Sequence, residues 1–178
     1  MTDVYDPPKR SQVMAGIRGR GNRSTELAMV AVLRDSGVKG WRRHVKLRPR
    51  LSAVDAALAT KRNAGRILTR PDFIFRPSKV ALFVDGCFWH GCPLHSTTPA
   101  QNALFWAKKL GANVGRDAVH TRALESAGWK VLRVWEHELS DPETLTSHVL
   151  NLLRKTHASG DQTNTPMQRS TSCPPAAA

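Results

Sequence analysis

Between Pro71 and His95 runs PDFIFRPSKVALFVDGCFWHGCPLH, a span that holds most of the residue types metal-dependent chemistry needs. Cys87, Cys92 and His95 form a C-x4-C-x2-H set, three soft or borderline donors that one loop can bring to a single ion. A structural zinc takes four such ligands, so the fourth must come from elsewhere. His137 is the best placed: it follows the apolar run ending at Trp135, and a neighbouring strand end can reach the loop after Val84. His120, His148 and His157 fall on helical patterns and His44 on a basic strand, and each reads as an ordinary histidine. The plain alternative to zinc is two buried thiols beside a solvated imidazole. A second set is built on oxygen. Asp72 opens one apolar run and Asp85 closes the next, so the two can face each other across a hairpin-like pair, and hard carboxylate ligands suit magnesium. His90, with an unperturbed pKa near neutrality, is the natural proton acceptor beside them. Phe88 and Trp89 put two large aromatics into a polar, glycine-containing loop, a poor place for a core anchor. The combined pattern suits phosphodiester cleavage beside a structural zinc.

Hydrophobic spacing gives the elements that must hold these residues. Asp72 to Asp85 reads as strand, turn at Pro77 and Ser78, strand. Upstream, Leu27, Val30 and Leu33 recur at helical spacing, with Ser24 as N-cap and Gly37 as stop. Glu26 sits in that helix's first turn, where an acidic side chain reads as a partner for the helix dipole. Trp41, Val45 and Leu47 alternate with basic residues, which predicts a short strand with a basic outer face. Residues 51–68 read as an insert, a short helix from Leu51 to Leu58 and then a basic loop, with no chemical spacing. Downstream, Leu104, Phe105 and Trp106 lie in a polar surround, and a helix opens at Asn113, Arg116 and Asp117 and ends at Gly128. WKVLRVW, 129–135, is a buried strand by its branched and aromatic content. Ser140 to Glu143 forms a capping box for an amphipathic helix carrying Leu145, Val149, Leu152 and Leu153. The connection from Val84 to Trp129 passes through a helix, as a parallel crossover must. The expected fold is α/β, a central mixed sheet flanked by helices on both sides.

Composition bounds the partner. The 178 residues are 40% hydrophobic, enough for the core of one domain. Lys and Arg number 27 against 14 Asp and Glu, a net charge of +13, which predicts a polyanionic partner, nucleic acid first. Residues 1–23 form a basic arm with Lys9, Arg10, Arg18 and Arg20; 24–157 form the folded domain; 158–178 hold too few large apolar residues to offset ordering and read as a disordered tail. No apolar run approaches the roughly 18 residues that would span a bilayer, and the N-terminus has no export-type apolar stretch. Three cysteines are not a disulfide framework. A cytoplasmic protein without a membrane partner is expected.

PDFIF, VALFVDGCFWHGCPLH, FWAKKLGANVGRD and LESAGWKVLRVWEHEL, in this order, resemble the very-short-patch repair (Vsr) DNA mismatch endonucleases. The opening DVYDPPKRSQVMAGIRGRGNRSTE extends the resemblance over residues 3–139 apart from the insert. It implies a restriction-endonuclease-like fold with a zinc-bound loop. The implied activity is a magnesium-dependent nick on the 5′ side of the thymine in T:G mismatches left by deamination of 5-methylcytosine, which initiates very-short-patch repair. On this resemblance Asp72 is a direct metal ligand and Val84 supplies a main-chain carbonyl to the same magnesium. His90 is the general base, Glu26 helps hold the hydrated metal, and Asn113 lies near the scissile phosphate. His137 matches the fourth zinc ligand. Phe88, Trp89 and Trp106 match aromatics that wedge into the base stack, and the arm with Lys9, Arg10, Arg18 and Arg20 matches one that clasps DNA. The implied cofactors are magnesium and zinc. The implied partners are T:G-mismatched double-stranded DNA and general mismatch-repair proteins, for a monomeric, nucleoid-associated bacterial enzyme.

Two departures stand out. The insert replaces a short Pro-Gly turn, and Asp85 stands where some members carry a histidine that assists catalysis. An aspartate there can bind metal or orient water, but cannot deliver a proton near neutrality unless its pKa is raised. Two other readings use part of the pattern. A nuclease of the same fold without mismatch selectivity would not need Phe88 and Trp89; a zinc-stabilised DNA-binding module without catalysis would not need Asp72, Asp85 and His90.

Overall fold

The computed structural model describes residues 21–97 and 99–157; Lys9, Arg10, Arg18, Arg20 and the tail at 158–178 lie outside the described residues. A π-type turn over Arg23–Leu27 leads into helix α1 (Ala28–Asp35), then strands β1 (Trp41–Arg43), β2 (Phe73–Phe75) and β3 (Val80–Asp85). Helix α2 (Ala103–Ser126), strand β4 (Lys130–Trp135) and helix α3 (Pro142–His157) complete the order. The sheet runs β1-β2-β3-β4, with β1/β2 and β2/β3 antiparallel and β3/β4 parallel. The turn at 76–79 closes the β2–β3 hairpin, and α2 makes the crossover that the parallel pair requires.

Successive strand residues face opposite ways, and this sheet buries both faces. Phe73, Phe75, Val80, Leu82 and Val134 pack with Met29 and Leu33 of α1 and Leu145 and Val149 of α3. Ile74 and Ala81 pack with Leu124 of α2, joined by Phe83 and Val131. Burial on both faces is why β3 is a continuous apolar run and not an alternating one. Each large side chain fully removed from water here, Phe73 and Leu33 among them, contributes about 1.5–3 kcal/mol relative to exposure. No helix among the described residues is long and apolar enough to cross a membrane.

Several boundaries differ from the sequence reading. Asn22, not Ser24, caps the first helical segment: its side chain accepts from Ser24 N at 3.0 Å, because the wide π-type turn starts the helix further upstream. The strand expected over residues 41–47 stops at Arg43, where His44 adopts a left-handed φ of 52°, and pairing resumes at Leu47 opposite Thr69. The short helix expected from Leu51 to Leu58 is present as a 3-10 helix over Ala53–Leu58, two residues shorter at its start. Helix α2 opens at Ala103, ten residues before Asn113, because alanine, leucine and lysine in its first turns outweigh the roughly 1 kcal/mol cost of Gly111 and of Gly115. At α3 the cap is Asp141, which accepts from Thr144 N at 3.1 Å, while Ser140 Oγ donates to His137 O. The insert is tied to the body: buried Asp55 accepts from Arg122 of α2 at 2.9 and 2.6 Å and from Ser52 Oγ at 2.5 Å.

Candidate active site and metal centre

The parallel register puts Asp85 opposite Trp135. Two residues beyond each strand partner come Cys87 and His137, whose Sγ and Nδ1 lie 3.3 Å apart. The loop then doubles back, with Trp89 N and His90 N donating to Gly86 O and Cys92 N to Cys87 O. Cys92, fully buried, ends with its Sγ 3.7 Å from His137 Nδ1 and 3.8 Å from His95 Nδ1. All four donor atoms lie within 4.8 Å of one another. A tetrahedral ion with bonds of about 2.3 Å to sulfur and about 2.0 Å to nitrogen has S···N edges near 3.5 Å, so this donor set fits zinc in chemistry and in spacing. His120 and His148 lie outside the group.

The second cluster is also a product of register. Arg43 pairs with Phe73, so His44 and Asp72 are the next partners, and His44 N donates to Asp72 O at 3.2 Å. Across the hairpin Val84 N donates to Asp72 Oδ2 at 2.8 Å and fixes the carboxylate. Glu26 enters from the turn before α1; its Oε1 accepts from Arg43 and meets His44 Nε2, and its Oε2 accepts from Gly21 N at 2.5 Å. The donor atoms of Glu26, His44 and Asp72 lie within 4.8 Å of one another. Burial, aided by the charges of Glu26 and Asp85 and opposed by the Val84 N–H, pushes Asp72 up to about 6. For Glu26 burial also acts upward, but the Arg43 hydrogen bond, the Gly21 N–H and His44 outweigh it and hold the carboxyl below its ordinary value. Two close carboxylates, one of them poorly compensated by protein, are the donor chemistry a hard divalent cation satisfies.

Asp85, buried, lies outside that cluster and accepts from Arg133 at 2.6 and 2.8 Å. His90 Nδ1 lies 2.5 Å from Asp117 Oδ2 and 3.5 Å from Asp85 Oδ1, and Arg133 reaches Asp117 Oδ1 at 3.3 Å. Burial disfavours the charged His90 ring, yet the Asp117 hydrogen bond and the Asp85 charge outweigh it, so its pKa is raised. With Nδ1 engaged, Nε2 is the ring atom left to exchange protons. Asn113 donates to Trp89 O at 3.0 Å and accepts from Arg116 at 2.7 Å, so it holds the loop backbone. Gly91, at φ +69°, brings the loop so near α2 that a Cβ would sit 3.2 Å from Val114 Cγ2.

Phe88, Trp89 and Trp106 form one aromatic cluster, with ring centroids 5.1 Å apart for Phe88–Trp89, 5.4 Å for Phe88–Trp106 and 6.0 Å for Trp89–Trp106. Trp106 is 9% exposed, whereas Phe88 and Trp89 are half-buried, and Leu104 and Phe105 beside them stand 89% and 60% exposed. Sequence reasoning missed three residues here: His44, Asp117 and Arg133. Asp117 had a usable signal, since Asn113, Asp117 and Thr121 recur every four residues on one helical face. His44 had none, because its proximity to Asp72 depends on pairing across the insert.

A family model described as DNA mismatch endonuclease Vsr matches residues 44–96. The chain is 51% identical over 72 residues to the type II nicking enzyme V.NaeI of Lentzea aerocolonigenes, a match covering 40% of this chain and less than half, 43%, of that relative. Two matches are longer. One is to the type II nicking enzyme V.XorIIP of Xanthomonas oryzae pv. oryzae, 32% identical over 155 residues, 86% of this chain and 98% of the relative. The other is to the DNA mismatch endonuclease Vsr of Escherichia coli, 33% identical over 152 residues, 84% and 83% of the two chains. With that identity over most of both chains, this chain belongs to the Vsr family of DNA mismatch endonucleases.

Proposed function

We propose that the chain is a strand-specific DNA endonuclease of restriction-endonuclease-like fold that nicks 5′ of the thymine in T:G mismatches arising from 5-methylcytosine deamination. Magnesium is its catalytic ion and zinc its structural one. The observation that carries this reading is the adjacency of two systems at one end of the sheet: the Glu26, His44 and Asp72 cluster, and a His90 ring oriented by Asp117. Two of the relatives are named as nicking enzymes and one as a mismatch endonuclease, which supports the same reaction class.

Asp72, the Val84 carbonyl and, less directly, Glu26 would hold magnesium, which when bound offsets the charge developing on the phosphate oxygens. The Val84 N–H orients the Asp72 carboxylate, and Arg43 and His44 orient Glu26. His90 Nε2 accepts the proton of the attacking water. Asp117 on Nδ1 fixes the ring and stabilises the imidazolium that results, a form of help typically worth 10²–10⁴-fold. Arg133 holds Asp85 and Asp117 in place, so Asp85 acts through the His90 network. Cys87, Cys92, His95 and His137 would fasten zinc and so keep the loop that carries His90 closed. Phe88 and Trp89, the less buried of the aromatics, enter the base stack first, with Trp106 behind them; the basic arm clasps the duplex. The protein acts as a monomer in the bacterial cytoplasm, at the nucleoid, with mismatch-repair proteins as further partners.

The test is nicking of a panel of duplexes that differ in one T:G pair and its flanks, with and without magnesium. Magnesium-dependent nicking confined to T:G duplexes is expected. Equal nicking of T:A duplexes would leave a nuclease without mismatch selectivity, and binding without cleavage would leave a DNA-binding module.

A further inference from the structure

We propose that residues 46–66 form a second DNA-contact surface, which grips the sugar-phosphate backbone of the duplex on one flank of the nicked site. It rests on the DNA-binding reading above and adds where the flank is held. The ladder that positions Asp72 does not end at β1. Beyond the His44–Asp72 bond, Leu47 and Thr69 exchange two hydrogen bonds at 2.9 and 3.0 Å, Ile67 N donates to Pro49 O at 3.0 Å, and Leu51 N donates to Gly65 O at 2.8 Å. The candidate active site therefore continues into a two-stranded ribbon that ends in the insert.

Along that ribbon Lys46, Arg48 and Arg50 occupy alternate positions, so they share a face, and all three are exposed. Val45 and Leu47 turn the other way, against the Ile74, Ala81 and Leu124 cluster. Arg50 stands directly opposite Arg66, an arrangement of like charges that destabilises a strand pair. Among the described residues no carboxylate relieves them. Residues 45–70 hold seven Lys or Arg and one acid, Asp55, and that acid is buried against Arg122. Arg66 Nη1 donates to Arg48 O at 3.0 Å, which holds its guanidinium against the ribbon. A cleft of about 410 Å3 lined by Arg48, Arg50, Arg66 and Trp129 lies beside them. Exposed Lys61 and Arg62 carry the positive surface to the loop tip.

A surface that accepts a stability cost to concentrate cations fits a regular polyanion. Seven residue steps from His44 to Leu51, at about 3.3 Å each, carry the ribbon at most about 23 Å from Asp72. That is the length of about seven base pairs at 3.4 Å each. The contacts are to phosphates, so they add affinity and register, not sequence information.

The triple variant Arg50→Gln, Lys61→Gln, Arg62→Gln removes three exposed cations and leaves the Asp55–Arg122 tie and the candidate active site untouched. In the full-length, metal-loaded protein, the slope of log binding constant against log salt should become shallower by about 2 to 3, at about 0.9 per phosphate contact. Trimming one flank of a T:G duplex below about seven base pairs should weaken the wild type and not the variant, while nicking of bound DNA keeps its rate. An unchanged slope and unchanged flank dependence, in a variant that melts like the wild type, overturns the proposal even though nicking survives. Should the triple variant melt lower, the loop-tip pair Lys61→Gln, Arg62→Gln decides, with an expected change of about 2 in slope. A wild type that neither binds nor nicks T:G duplexes would instead overturn the functional reading beneath it.

Discussion

Asp72 and His90 are held by different partners, and that separates the effects of replacing them. Asp72 is fixed by a main-chain N–H and crowded by Glu26, so its removal takes away donor capacity for a cation but no phosphate contact. Asp72→Ala should abolish nicking while DNA affinity, measured by titration at fixed salt, stays close to wild type; near wild-type nicking would remove Asp72 from the active site. His90→Ala should slow single-turnover nicking by about 10²-fold or more, the usual worth of a general base. Asp117→Asn, which keeps the ring but loses the charge on Nδ1, should cost less than His90→Ala; an equal loss would make Asp117 part of the chemistry itself. Asp72, Asp85 and His90 were readable because they sit on one short span. Glu26 was visible only through resemblance, since in a first helical turn any acid looks like a dipole partner, and His44 and Asp117 depend on pairing and packing that no local window contains.

At the scale of elements, the hairpin, the crossover and the closing helix were readable from apolar spacing because each buries the face its pattern marks. What failed was local: the left-handed turn at His44 and the π-type turn at Arg23–Leu27 sit where Glu26 meets Arg43 and His44, a tie that spacing does not record, and α2 starts early because good helix formers fill its first turns. Two ties can be tested. The Cys87–His137 approach joins the ends of β3 and β4, so Cys92→Ser should release one zinc per chain, by metal analysis, and lower the melting temperature; retention of both would place the zinc elsewhere or nowhere. The Asp55–Arg122 tie joins the insert to α2. Hydrogen bonds from Arg122 first, then Ser52, lower Asp55 from 3.8 to about 2. A carboxylate lowered by folding contributes fully above its unfolded pKa and loses its contribution as pH falls through the folded one. Asp55→Asn should therefore melt lower than wild type at neutral pH, and the two should converge as pH falls from about 4 to about 2. Equal melting at neutral pH would mean that the tie contributes nothing.

For the whole molecule the proposed function raises the question of how a mismatch would be distinguished from the duplex around it. The net charge of +13 attracts any DNA, and binding of that kind weakens steeply with salt and carries no selectivity. Selectivity has to come from a step whose cost differs between T:G and a matched pair. Opening a normal base step costs a few kcal/mol, and a wobble pair, which stacks less well, costs less. Phe88 and Trp89 sit on the loop closed by Cys87 and Cys92 and packed on α2 through Gly91, so they are presented on a rigid base. Each aromatic that fills the opened gap returns on the order of 1–3 kcal/mol by stacking. Trp106 is nearly buried beneath Phe88 and braced by Phe105, so its own insertion requires that packing to open, whereas Phe88 needs less rearrangement. Phe88→Ala should therefore reduce the ratio of T:G to T:A affinity more than it reduces salt-sensitive binding to matched DNA. Trp106→Ala should act in the same direction with an added fall in melting temperature, because it also removes packing. If both variants fold and keep the wild-type ratio, the selective step does not run through these rings, and a nuclease of this fold without mismatch selectivity becomes the better account.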